Sequence, residues 1–339
     1  MKISLIVPVY NMAPWLRECI DSLLAQDIPA DEYEIIAVND GSTDESPAIL
    51  REYEAAHPGR FVIVDQPNTG LGPARNAGLA RARGKYVWFV DSDDIVRKNS
   101  LAAVANAMET SGAETLITGY ETFLSGEADA QRHGECNLFD AVPSSPTEAL
   151  CFCKASVWNK ISTREFLLRA DMKYLPLTGP EDMAVTFRLL ASARKIVKTD
   201  TVCYYYRWRP GSMLQTYNER RIRDVVIIFQ TIESQIAMFP NLRDEYEYLY
   251  WKELEWVIRD AECVASASDA AMRAVIAAHL PTLKAMFAAA DFPLNPYIRL
   301  VLEQRGNYAK LDASYKNSLS WKITAPLRFA ADVFTKKRR

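Results

Sequence analysis

Reactive metal-binding residues are scarce in this chain: three histidines and six cysteines in 339 residues. Cys19, Cys136, Cys151, Cys153, Cys203 and Cys263 form no Cys-x-x-Cys pair, and His57, His133 and His279 stand in unrelated contexts, so the spacing of a zinc site is missing. Thiols in this pattern fit a reducing compartment. No apolar run approaches the roughly 20 residues that a membrane-spanning helix needs. The opening run over 3–9 contains Pro8, is followed by Asn11 and lacks a signal-peptide cleavage pattern, so any membrane contact is expected to be peripheral. Net charge is missing too. Forty basic residues against 43 acidic ones leave −3, which gives bulk electrostatics no role in holding nucleic acid.

The chain does have enough apolar residues, 49%, for a substantial core. Short apolar runs over 3–9, 34–38, 61–64, 86–90 and 115–118 alternate with helical patterns over 15–25, 47–56, 73–83 and 100–108. Pro47 behind Ser46 and Pro73 behind Gly72 are read as first helical residues. Alternation of this kind predicts an α/β fold, a mostly parallel sheet with helices on both faces. Ligands of such sheets bind outside the carboxyl ends of the strands. Residues 121–150 are polar and carry Gly126, Gly134, Pro143 and Pro146, which reads as a long loop or lid. Helices are expected over 219–239, 243–265 and 268–290. The end of the chain mixes Trp321, Ile323, Leu327, Phe329 and Phe334 with a basic run, Lys336 to Arg339. That composition suits an interfacial segment at an anionic lipid surface, although Pro326 interrupts its helix.

The sharpest local signal is Asp91-Ser92-Asp93-Asp94, placed directly after the apolar run Tyr86-Val87-Trp88-Phe89-Val90. Three carboxylates within four residues repel one another, and at a strand end such groups often hold magnesium or manganese through substrate phosphates. The plainer alternative is a solvated acidic turn. Three further segments fall at comparable places: Ile6 to Asn11, Val38 to Asp44, and Gly70 to Gly78, where Arg75 stands beside a glycine-rich helix start suited to phosphate.

In this order the segments closely resemble the family 2 glycosyltransferases, over roughly residues 1–215. The resemblance rests on Val7-Pro8-Val9-Tyr10-Asn11, Asn39-Asp40-Gly41-Ser42-Thr43-Asp44, Ala74-Arg75-Asn76-Ala77-Gly78, the Asp91-Ser92-Asp93-Asp94 DxD motif, Glu181-Asp182 before Phe187, and Tyr206-Arg207 to Gly211-Ser212. It implies a GT-A fold over 1–218, with a nucleotide-binding half (1–120) and an acceptor-side half (121–218), then a helical region (219–318) and a basic amphipathic tail (319–339). It further implies that Pro8, Tyr10 and Asn11 line the nucleotide pocket, that Asp40 meets uracil, and that Arg75 lies near the base or diphosphate. Asp91 would approach the ribose or sugar with Ser92 beside it, and Asp93 would hold Mn2+ or Mg2+. Arg207 and Ser212 would approach the diphosphate, and Asp182 would be the general base with Glu181 as its partner. There is no histidine near 204–212 to complete a protein-only metal site.

The expected activity is inverting transfer from a UDP-sugar to a glycan or lipid-linked acceptor, in a cytoplasmic protein at the inner face of a bacterial membrane. The helical region would serve the acceptor site, the membrane contact or a homodimer. A haloacid-dehalogenase-type phosphatase, a sugar-nucleotide pyrophosphorylase and an inactive scaffold are the rivals. The phosphatase reading leaves Asp40, Arg75 and Glu181-Asp182 unexplained, and the pyrophosphorylase lacks its glycine-rich loop after the first run.

Overall fold

The computed structural model describes residues 1–124, 149–150, 153–177, 180–209, 219–243, 277 and 281. The chain forms two compact units, Met1–Arg209 and Pro210–Arg339. Within the second, the described part is one helix, Glu219–Ile236, followed by a tight turn at Pro240–Leu242. The helices expected over 243–265 and 268–290 lie outside the described residues but for 243, 277 and 281. Ser212 and the basic tail lie outside them entirely. Among the described residues no helix is long and apolar enough to cross a membrane.

The first unit is built on one sheet. Its strands are β1 (Ile3–Val9), β2 (Tyr33–Asp40), β3 (Phe61–Gln66), β4 (Tyr86–Phe89), β5 (Ile95–Val96), β6 (Thr115–Leu124), β7 (Lys160–Thr163) and β8 (Ile196–Trp208). Their order across the sheet is β3-β2-β1-β4-β7-β6-β8-β5. β3, β2, β1 and β4 run parallel, whereas β7 is antiparallel to both its neighbours. Helices α1 (Ala13–Leu24), α2 (Ser46–Ala56), α3 (Leu71–Arg81) and α4 (Leu101–Ser111) cover the parallel half, so β1 and β2 are buried at every position and read as continuous apolar runs. α1 buries Leu16, Cys19, Ile20 and Leu23, a single stripe at helical spacing.

Three details position the site. β1 pairs with β4 only from Ile3 to Ile6, and the Val90 N–H bond to the Ile6 carbonyl, at 2.9 Å, closes that ladder. Beyond it the strands part, which is why Pro8, lacking an N–H, is tolerated in a central strand. α3 begins at Leu71, two residues ahead of the sequence expectation, so Pro73 is its third residue rather than its first. The first turn of a helix has no preceding carbonyls for its N–H groups, and proline loses nothing there. The preceding Gly70 holds φ at 101°, a region that side chains disfavour, and a Cβ on Gly72 would collide with the Leu175 carbonyl oxygen.

The expected loop from 121 is corrected in part. β6 runs on to Leu124, paired in parallel with β8 as far as Trp208 after a register irregularity around Gly119. The polar periodicity of Glu121 and Thr122 concealed a strand whose Thr122 is buried. Residues 125–148 lie outside the described residues. Two further helices, α5 (Arg164–Arg169) and α6 (Asp182–Ser192), follow β7.

Candidate active site

At the ends of β1 and β2, sequence-distant polar residues tie the two turns together. Asn11 adopts φ 53°, and its side-chain oxygen accepts from the Thr43 N–H at 2.8 Å and the Asp44 N–H at 3.3 Å. Asp44 in turn accepts from the Ala13 N–H at 2.9 Å. Tyr10 is left 45% exposed between them, while Pro8 is buried. Asp40 is buried and fully engaged with the loop entering α3. Its carboxylate accepts from the Thr69 N–H at 2.9 Å, the Gly70 N–H at 2.8 Å and Gln66 Nε2 at 2.7 Å. Asp40 therefore shapes the rim of the crevice through that loop.

The acidic cluster after β4 is neutralised one carboxylate at a time. Asp91 accepts from Arg75 at 2.7 Å, and Asp93 accepts from Arg209 Nε at 2.8 Å. Asp94 lies innermost, accepting from the Tyr204 hydroxyl and the Arg207 backbone N–H, both at 2.7 Å. Tyr204 closes a relay, since its oxygen also accepts from the Asp91 N–H at 3.1 Å. Burial, reinforced by Asp93 and Asp91, pushes the Asp94 carboxyl well above the ordinary carboxylate range. Burial and Asp91 also raise Asp93, against the pull of Arg209. Ser92 is buried within the turn.

Arg207 is pinned rather than extended into the crevice. Its guanidinium bonds the Asp93 carbonyl at 2.6 Å and Glu18, and lies over the rings of Trp15 at 5.0 Å and Phe123 at 4.4 Å.

Arg75 is the hub. Its side chain is only 2% exposed, and it bridges Asp91 on one side and Glu181 on the other. Burial alone would lower its pKa, but the two carboxylates hold it above the ordinary arginine value. Its Nε has no hydrogen-bond partner among the described residues. Tyr174 packs against the guanidinium at 5.4 Å, and its backbone is fixed to α3 by Asn76, which accepts from the Tyr174 N–H at 3.0 Å and donates to its carbonyl at 2.8 Å.

Glu181 and Asp182 then diverge. Glu181 is buried against Arg75, and burial lifts its carboxyl to about 8. Asp182, the first residue of α6, is half-buried, and Oδ2 accepts from the Val157 N–H at 3.3 Å. Burial raises its carboxyl too, with Arg75 opposing. Asp182 is thus the less buried member of the pair.

Beside it stands a column of rings. Trp158 is stacked between Tyr204 at 4.8 Å and Tyr206 at 5.3 Å, with Tyr120 edge-on at 4.8 Å. Trp158 and Tyr204 are buried core, and Tyr206 is half-buried. Sequence reasoning gave no role to Arg209, Tyr204 or Lys160. Asp93 and Asp94, the partners of Arg209 and Tyr204, come from another strand end, while those of Lys160 lie in the turn just before it, and only the polar residues set inside the runs Trp158-Asn159-Lys160-Ile161 and Tyr204 to Trp208 could have flagged them.

The donor set fits a hard divalent cation. Arg75 takes Oδ1 of Asp91 and Arg209 takes Oδ2 of Asp93; among the described residues no bond reaches the other oxygen of either, and the two side chains stay 24% and 20% exposed. Among the described residues no group of three or more His, Cys, Asp or Glu could hold a metal alone, so phosphate oxygens or water would complete the shell.

A family model described as Glycosyl transferase family 2 matches residues 4–155. EpsH of Bacillus subtilis (strain 168), provisionally assigned as a glycosyltransferase, is 32% identical over 265 residues, 76% of this chain and 74% of EpsH. Glycosyltransferase GlyA of Streptococcus pneumoniae is 29% identical over 71% of this chain, which spans 35% of GlyA. TarS of Staphylococcus aureus, named a poly(ribitol-phosphate) beta-N-acetylglucosaminyltransferase, is 28% identical over 64% of this chain and 37% of its own length. The crystal structure of TarS 1–349 in complex with UDP-GlcNAc shares the fold, with a TM-score of 0.60, 22% identity and coverage of 85% of this chain and 91% of that one.

Proposed function

The chain belongs to the family 2 glycosyltransferases and has their GT-A fold, and from that membership we propose that it transfers a sugar from a UDP-sugar to a hydroxyl of a glycan or lipid-linked acceptor, inverting the anomeric carbon, with Asp182 as general base. The observation that carries this reading is the Arg75 bridge. One buried cation couples the carboxylates after β4, where a donor diphosphate would lie, to Glu181 at the start of α6, beside Asp182.

In this reading the nucleotide occupies the opening beyond the ends of β1, β2 and β4. Pro8, Tyr10 and Asn11 line it, and Asp40 sets the loop at its rim and faces the uracil. Asp91 approaches the ribose and sugar with Ser92 behind it in the turn, and Arg207, pinned to the Asp93 carbonyl, steadies that turn beside the diphosphate. Asp93, with the open oxygen of Asp91, would hold Mn2+ or Mg2+, which when bound supplies Lewis-acid stabilisation to the departing diphosphate. Asp182 accepts the proton of the attacking hydroxyl as the acceptor oxygen bonds to the anomeric carbon and the bond to UDP breaks. Glu181, locked to Arg75, orients that start of the helix. The TarS acceptor, poly(ribitol-phosphate), supports a bacterial surface polymer as the acceptor class. A peripheral place at the inner membrane face, through the tail at 319–339, belongs to the same reading.

Calorimetric titration with UDP, GDP and CDP, each with Mn2+ and with chelator, tests it. The expected outcome is Mn2+-dependent UDP binding that disappears in Asp93→Ala. Absence of nucleotide binding under every condition would overturn it.

A further inference from the structure

Lys160 is the first residue of β7, and its side chain is 2% exposed. A buried ammonium needs compensation, and this one finds it in a single turn. Nζ donates to the Lys154 carbonyl at 2.8 Å, the Ser156 carbonyl at 2.6 Å and Asn159 Oδ1 at 2.9 Å. All three protons are used, so residues 154–159 are wrapped around one cation. The turn is braced from outside as well. The Thr118 N–H donates to the Asn159 carbonyl at 2.9 Å, and Trp88 Nε1 donates to the Trp158 carbonyl at 2.6 Å. The same turn presents the Val157 N–H to Asp182 Oδ2.

We infer that Lys160 is a positioning residue for the transfer reaction: its ammonium folds the 154–159 turn into the shape that holds Asp182, and its charge favours the ionised carboxylate. The inference rests on the reading of Asp182 as base. A neutral hydrogen-bonding residue would suffice to shape a turn; a buried charge is costly and is useful here because a carboxylate that must stay ionised lies on the other side of the peptide. Burial lowers the Lys160 amine to about 8, with Cys153 and Asp182 opposing and Lys154 assisting that shift. The ionisable groups around Asp182 are Arg75 from α3, Asp91 from the end of β4, Glu181 beside it, Tyr174 from the segment before α6, Tyr206 from β8, and Lys160. Arg75 is already shared between Asp91 and Glu181, and the turn's other cation, the exposed Lys154, lies over the rings of Tyr120, Trp158 and Tyr206, so Lys160 is the buried cation on the side of the turn.

The test uses Lys160→Gln, which retains donors for the turn but removes the charge, alongside Asp182→Asn. Turnover of a UDP-sugar is followed against pH, and UDP affinity with Mn2+ is measured by calorimetry. Removing the cation makes Asp182 easier to protonate, so the acid limb of kcat is expected to move up by about one pH unit, with UDP affinity unchanged. In Asp182→Asn, Lys160→Gln is expected to add little to the loss. An unmoved acid limb and wild-type kcat in Lys160→Gln would overturn the inference. Full activity in Asp182→Asn would instead sink the base assignment on which it rests. If Lys160→Gln loses UDP binding as well, Asn159→Ala decides: it removes one acceptor of the ammonium and keeps the charge. A severalfold lower kcat with the acid limb in place then supports the inference, and wild-type kcat overturns it.

Discussion

Asp91, Asp93 and Asp94 after β4, and Glu181 with Asp182 at the start of α6, are two crowded acidic groups made of the same chemistry, and the fold treats them differently. In the first, each carboxylate has its own partner: Arg75, Arg209, or Tyr204 with the Arg207 backbone. The crowding that suggested a metal from sequence is relieved largely by arginines, and a cation needs only the oxygens left over. In the second, one carboxylate is given up to a buried arginine so that its neighbour remains accessible, held by a single backbone N–H. The lesson is that a carboxylate's role follows from what is left of it after the scaffold has taken its share. Arg75 serves both groups, so disturbing it tests the comparison hardest.

Arg75→Ala removes the buried cation between the Asp91 and Glu181 carboxyl groups and leaves both without their partner. We expect a loss of about 3 kcal/mol or more in denaturant unfolding, with activity abolished. Arg75→Lys should restore little, because an ammonium does not span both carboxylates as a guanidinium fork does. A near-wild-type midpoint in either variant would mean that the two acidic groups are stabilised independently.

Glu181→Gln should have a smaller, pH-dependent effect. Burial raises the folded-state pKa from 4.5 to about 8, so the neutral form is the one the fold favours. The group's contribution is fully present below the unfolded value and is lost as pH rises toward about 8. Glutamine is fixed in the neutral state, so unfolding midpoints of the variant should fall less than those of wild type across that window. Parallel curves would show that Arg75 keeps Glu181 ionised throughout.

Much of the donor side is legible in the sequence. β1, β2 and β4 lie where the apolar runs end in polar residues, because strands covered on both faces leave uninterrupted sequence signals, and the edge strand β3, only partly buried, still falls on its run. The acceptor side is harder to read. β7 has four residues, and β8 carries three consecutive tyrosines, two of them stacked on Trp158, so neither shows a period. Pairings are harder still. Arg75 and Glu181 are 106 residues apart, and Tyr204 reaches Asp94 across 110, distances over which no local pattern carries information. The Glu181-Asp182 pair can be named from resemblance, but which member is buried depends on the turn at 154–159, whose organising charge, Lys160, looks in sequence like an ordinary lysine entering a strand.

In the proposed reaction a single displacement, with a carboxylate on the face opposite the departing diphosphate, inverts the anomeric carbon. Proton NMR of the newly formed glycosidic linkage, recorded early in turnover with the UDP-sugar that supports it, reads this directly. The expected product has an anomeric configuration opposite to that of the donor. A product that retains the donor configuration would contradict it.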